Sequence, residues 1–237
     1  MMESTYSYVA DNVKRVQEEI ANTCIKYGRK PEDVILMGVS KTQPVEKLQV
    51  AYDTGIRLFG ENRVQELQQK ADFFHANNVP CHIIGTLQTN KVKYLPALTD
   101  TIQSVNSLKL ANEIEKQYGK AGKKANICLE INIGDEDSKS GIPFDQTMEL
   151  VHQLSEFKHL TVKGLMCIPP IDDTEEVRKY FAQMHKLFVD ISGKKLDNID
   201  MCILSMGMSG DYPWAIAEGS TLVRVGTGIF GARNYNF

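Results

Sequence analysis

Eight short apolar runs, alternating through most of the sequence with segments of helical pattern, set the tightest limit on what this chain can fold into. They fall at residues 34–39, 57–59, 81–84, 101–105, 127–133, 162–166, 201–204 and 222–225. Helix-patterned stretches lie between them at 45–54, 64–77, 108–118, 144–157, 174–191 and 212–218. Runs this short and this apolar are typical of parallel strands buried on both faces and joined by crossover helices. Pro44, Ser107 and Pro143 stand where three of the helices would begin. Ahead of the first run, Val9, Val13, Val16 and Ile20 share one face of a helix.

No long linker, low-complexity tract or repeat interrupts this alternation. The whole of 1–237 therefore reads as a single α/β domain: a (β/α)8 TIM-like barrel preceded by an N-terminal helix. A doubly wound sheet is the alternative that the same pattern allows. In a barrel, chemistry gathers where the strands end at their C-terminal side, and the candidate residues are sought there.

Composition removes several function classes. A net charge of -3 and the absence of any long basic cluster give no pull on a phosphate backbone, so no nucleic-acid partner is expected. No apolar run reaches membrane-spanning length and none resembles a signal peptide, so no membrane partner and a cytoplasmic location are expected. The five cysteines form no CxxC pair and read as buried, reduced thiols; the five histidines lack ligand spacing, so no metal is expected. Asp135, Glu136 and Asp137 are consecutive rather than spaced for coordination, and read as a solvated loop.

Lys41 follows the run 34–40, which places an amine at the mouth of a buried strand. Desolvation disfavours the ammonium form and leaves the amine free to attack an aldehyde; a lysine that merely leaves the strand for solvent is the plainer reading of position alone. In the segment 204–211, Ser205, Met206, Gly207, Met208, Ser209 and Gly210 end a strand in small and hydroxylated residues, and Ser209 could cap the next helix. Arg224 is followed by Gly226, Thr227 and Gly228 at the end of the last run. Either glycine loop could be a simple tight turn. Together, after the last two strands, they suit a phosphate dianion. Glu61 and Asn62 follow the second run, where Asn62 could donate to a ligand oxygen or cap a helix. Gln88, Asn90 and Lys91 follow the third and could line the same mouth.

These segments, in order, resemble the pyridoxal phosphate homeostasis protein family, whose barrel is similar to the N-terminal domain of alanine racemase. The resemblance is carried by residues 39–42 (VSKT), 59–62 (FGEN), 82–91 (HIIGTLQTNK), 138–142 (SKSGI), 164–166 (GLM), 204–209 (LSMGMS) and 219–233 (GSTLVRVGTGIFGAR). Cys81 and Gly210 depart from the family pattern without touching an assigned role. The resemblance implies a pyridoxal 5′-phosphate (PLP) cofactor. In it Lys41 is the Schiff-base lysine, Arg224 faces the pyridine nitrogen, Ser205, Gly226 and Thr227 hold the phosphate with Met206 and Gly207 in the same loop, and Asn62 lies beside the ring.

A cofactor carrier serving vitamin B6 homeostasis, with apo PLP-dependent enzymes as recipients, is then the expected function; a PLP-dependent racemase-like enzyme is the alternative. An arginine at the ring nitrogen can only donate, which disfavours transamination. The chain ends seven residues after Phe230, leaving no room for the further β domain of a racemase, so no catalytic residue and a monomer are expected. A barrel acting on a sugar phosphate through Lys41 is a third reading on the same fold.

Overall fold

Parallel strands need a crossover between neighbours, and the helix-patterned segments supply it. The computed structural model describes residues 6–99, 101–135, 140–170 and 174–232. Its strands are β1 (Ile35–Val39), β2 (Phe59–Glu61), β3 (Cys81–Ile83), β4 (Thr101–Val105), β5 (Ala125–Asn132), the two-residue β6 (Ile142–Pro143), β7 (Leu160–Cys167), β8 (Ile199–Ser205) and β9 (Leu222–Val225). Every pairing is parallel. The ring runs β1-β2-β3-β4-β5-β7-β8-β9 and closes where β9 returns to β1, with Met37 opposite Arg224 and Gly38 opposite Val225. β6 lies outside the ring, paired to β5. The chain is thus a closed eight-stranded (β/α)8 barrel, not a doubly wound sheet.

The helices are α1 (Ser7–Lys26), α2 (Val45–Asp53), α3 (Val64–Gln69), α4 (Ala71–Ala76), α5 (Leu108–Lys120), α6 (Thr147–Leu154), α7 (Thr174–Ser192), α8 (Tyr212–Ala217) and the four-residue α9 (Thr227–Phe230). The stretch read as one helix over 64–77 is broken at Lys70, and 144–157 opens with a 3-10 turn before α6. A 3-10 segment at Thr89–Ala97, which contains Pro96, serves as the crossover between β3 and β4. Ser107 caps α5 as expected, its hydroxyl accepting from Leu110 N.

Side chains two apart on a strand share a face, and the two faces of the barrel wall build two cores. The outer one lies between wall and helices and takes in Phe59, Phe73, Phe74, Ile127, Leu165 and Phe181. The inner one is small: Met37, Val39, Leu58, Ile84 and Leu222, with Ile203 against them. A barrel interior is ordinarily filled with layers of bulky branched residues. Here part of that interior is polar, which shapes the site described next.

Four cysteines, at 24, 81, 128 and 167, are buried; burial pushes the Cys81 and Cys128 thiols up, and Cys167 up to about 12. Cys202 corrects the expectation of a uniformly buried set, because it sits exposed on β8. Among the described residues no helix is long and apolar enough to cross a membrane, and no cluster of three metal-ligating side chains occurs. Of the acidic loop only Asp135 lies within the described residues.

Candidate functional site at the barrel mouth

Residues 37, 39 and 41 share one face of β1 and its extension. Met37 and Val39 line the inner core, and Lys41 follows them, half-buried, at the rim. The turn around it is tied down. Thr42 takes a left-handed backbone, φ 61°, and its N–H donates to Glu66 Oε2 at 2.6 Å. Beneath it, Lys70 Nζ donates to the Ser40 carbonyl and to Glu61 Oε1, both at 2.7 Å, and the Ser40 hydroxyl donates to the same carboxylate oxygen at 2.6 Å. Burial pushes the Glu61 carboxyl above the usual carboxylate range, against the lowering effect of the Lys70 charge and its hydrogen bond. Its Oε2 is buried without a hydrogen-bond partner.

The closing seam of the barrel brings the last loop beside Lys41. A Cβ added to Gly226 would stand 3.5 Å from Val39 Cβ and 3.6 Å from Val39 O, so the end of β9 lies against the end of β1. The 206–211 loop joins it: Ser209 Oγ accepts from Gly228 N at 3.2 Å, and Arg224 N donates to Gly207 O at 2.9 Å. Gly207 has φ 94°, and a Cβ there would meet Ala215 Cβ at 2.6 Å, so the tight fold of this loop against α8 depends on its glycine. Ser209 does not cap α8. Asp211 occupies the N-cap position, and its carboxylate accepts from Met208 N. Met206 and Gly207 are buried, Ser209 and Gly226 half-buried, and Thr227 exposed at the rim.

Arg224 is 4% exposed. Its Nη1 donates to Ser205 Oγ at 2.7 Å and its Nη2 to the Cys167 carbonyl at 2.8 Å. Ser205 is the last residue of β8, fully buried below the loop, and its hydroxyl donates onward to Gln103 Oε1 at 2.6 Å. Gln103 Nε2 lies 2.9 Å from His82 Nδ1. A polar chain of four side chains, His82, Gln103, Ser205 and Arg224, therefore crosses the barrel interior. Across from it, Glu130 on β5 is pushed up by burial, opposed by the Ser140 hydrogen bond and the Arg224 charge, and its Oε2 is also without a partner.

Asn62 stands at the end of β2, half-buried, and caps nothing; Arg63 is the N-cap of α3. It packs on Gly85, where a Cβ would come 2.6 Å from Asn62 O. Gln88 and Lys91 share with Asn62 a cavity of about 730 Å3 on this side of the mouth. A larger one, about 1040 Å3, lies at the opposite foot of the barrel among Ile35, Leu36, Pro80, His82 and Leu222. The amine and both glycine loops are at the mouth, so chemistry rather than volume places the candidate site.

The structure thus brings Lys41, Arg224, Gly226 and Thr227 to one side of the mouth, with Asn62 on the adjoining strand. The sequence reading missed Gln103, His82 and Lys70. The first two lie in polar interruptions of apolar runs, the one available signal, and their partners are far along the chain. The 138–142 and 219–233 segments extend partly beyond the described residues.

The model of the alanine racemase N-terminal domain family matches residues 10–234. The pyridoxal phosphate homeostasis protein of Pasteurella multocida is 40% identical over 232 residues, covering 96% of this chain and 99% of its own length. That of Haemophilus influenzae is 38% identical over 231 residues, covering 96% and 97%. PipY of Synechococcus elongatus, solved with PLP bound, superposes with a TM-score of 0.78 at 33% identity over 90% of this chain and 100% of its own. By sequence and by barrel alike, the chain belongs to the pyridoxal phosphate homeostasis protein family.

Proposed function

We propose that this chain binds pyridoxal 5′-phosphate at the mouth of its barrel and serves vitamin B6 homeostasis as a carrier, holding the cofactor as a Schiff base on Lys41 for buffering or delivery. The observation that carries the reading is the seam. β1 and β9 adjoin, so the Lys41 amine, the Gly226-Thr227 turn and the Ser209 loop converge on one rim, with the Arg224 guanidinium below them. PLP bound in PipY and the names of the relatives support it.

The residues fit such a ligand. Its aldehyde needs an amine, its phosphate needs donors on a loop that backbone can approach closely, and its ring nitrogen needs a fixed polar partner. Lys41 would meet the first need; Gly226 and Thr227 would meet the second, with the half-buried Ser209 at the rim in place of the Ser205 that the resemblance implied, because Ser205 is fully buried below the loop and hydrogen-bonded to Arg224. Arg224 would meet the third, and Asn62 would stand beside the ring. When bound, the cofactor supplies an aldehyde to which amines add reversibly. Lys41 would supply the nitrogen that takes that aldehyde with loss of water, and hydrolysis or exchange with another amine would return it without an oxidant. Apo PLP-dependent enzymes are the recipients this chemistry fits.

The test is the visible absorbance of the purified protein before and after borohydride, with peptide mapping of the adduct. A yellow protein whose reduced pyridoxyl group maps to Lys41, and no adduct in Lys41→Ala, is expected. A colourless protein that takes up no added PLP would falsify the reading.

A further inference from the structure

Buried polar side chains inside a barrel are costly unless each is satisfied, and a satisfied chain of them is rigid. The chain from His82 to Arg224 is oriented. Arginine can only donate, so Ser205 Oγ must accept from it. The Ser205 hydrogen is then directed at Gln103 Oε1. With that oxygen accepting, the Gln103 amide nitrogen faces His82 and donates to Nδ1. Each group sets the orientation of the next, and the last is the arginine below the cofactor rim.

We propose that Ser205 and Gln103 are positioning residues for Arg224, acting on the ring-nitrogen end of the ligand rather than on its phosphate. This rests on the reading that PLP is bound with Arg224 at its ring nitrogen. Gln103 takes the Ser205 hydrogen, which keeps the hydroxyl lone pairs turned to the guanidinium. The Cys167 carbonyl fixes the other arm of the fork at 2.8 Å. Ser205 itself is fully buried below the loop, whereas Ser209 offers a half-buried hydroxyl next to Gly228 at the rim.

The experiment compares PLP with its analogue carrying C–H in place of the ring nitrogen, titrated into wild type, Ser205→Ala and Gln103→Met, with thermal unfolding of each apo protein alongside. Both ligands carry the phosphate and the aldehyde, and only one can be held through its ring nitrogen. The variants are expected to bind PLP about tenfold more weakly than wild type, the scale of one charge-assisted hydrogen bond, and to bind the analogue within about twofold of wild type. Ser205→Ala, a smaller side chain in the same place, keeps the test alive if Gln103→Met does not fold. An equal loss for both ligands would assign Ser205 to the phosphate or to structure alone and overturn the proposal. So would unchanged PLP binding. A wild type that binds neither ligand overturns the function reading itself, which is a different result from either.

Discussion

Lys70 shows how one side chain can matter to a site it does not enter. It is 7% exposed, its ammonium holds the carbonyl just before Lys41, and it is the counter-charge of a fully buried carboxylate. Lys70→Met should destabilise the fold by about 3–5 kcal/mol, because removing one member of a buried pair strands the other; urea unfolding measures it. Glu130 predicts the opposite sign. Burial raises both Glu61 and Glu130, so the folded state holds their protons more tightly than the unfolded chain. Their contribution to stability is present below the unfolded carboxylate pKa and is lost as pH rises through the folded values. Glu130→Gln, which keeps an acceptor for Ser140 and removes the charge, should raise stability by about 1 kcal/mol near neutral pH. The gain should shrink toward pH 4, and a gain that grew on acidification would contradict the assignment. For the ligand, Arg224→Ala should weaken PLP retention on dialysis at least tenfold, and Asn62→Ala should weaken it less; equal retention in Arg224→Ala would remove the ring-nitrogen role. At this scale the ends of two apolar runs singled out Lys41 and Arg224, but the cofactor roles proposed for them came from the family resemblance and not from position along a strand. The sequence hid Lys70, Gln103 and His82, because their roles come from strands and helices that meet only in the fold.

At the scale of elements, all eight barrel strands fell within a few residues of the apolar runs, since burial on both faces writes a parallel strand plainly. The helices were less legible where tertiary contacts override a continuous pattern. The break between α3 and α4 falls at Lys70, whose ammonium is committed to Ser40 and Glu61. The crossover after β3 is a 3-10 segment with Pro96 inside it. The four-residue α9 is too short to carry a period, and α1 holds it. Tyr8 Oη donates to Phe230 O at 3.1 Å, Asn12 Nδ2 to Ile229 O at 3.0 Å, and Arg15 Nη2 to Gly228 O at 3.1 Å. Replacing Tyr8 by Phe and Asn12 by Ala together should loosen α9, each bond contributing about 1 kcal/mol. Faster hydrogen exchange at the Ile229 and Phe230 amides, with α5 unchanged, is the expected signature.

For the whole molecule, a ligand held only by the folded barrel raises its unfolding temperature. At a hundredfold excess over Kd the added stability is about 2.7 kcal/mol. PLP should therefore shift the thermal midpoint upward, and the Schiff base proposed on Lys41 makes the expected shift smaller in Lys41→Ala. The same barrel fixes when the pocket comes into existence. β1, which leads to Lys41, is the first strand of the ring, and β9, which carries Arg224, is the last. The rim loop after β9 is backed by α1, from the other end of the chain. If the proposed carrier role holds, a nascent chain on the ribosome exposes Lys41 long before the strand that carries Arg224 has been translated, so loading with the vitamer belongs to the finished polypeptide.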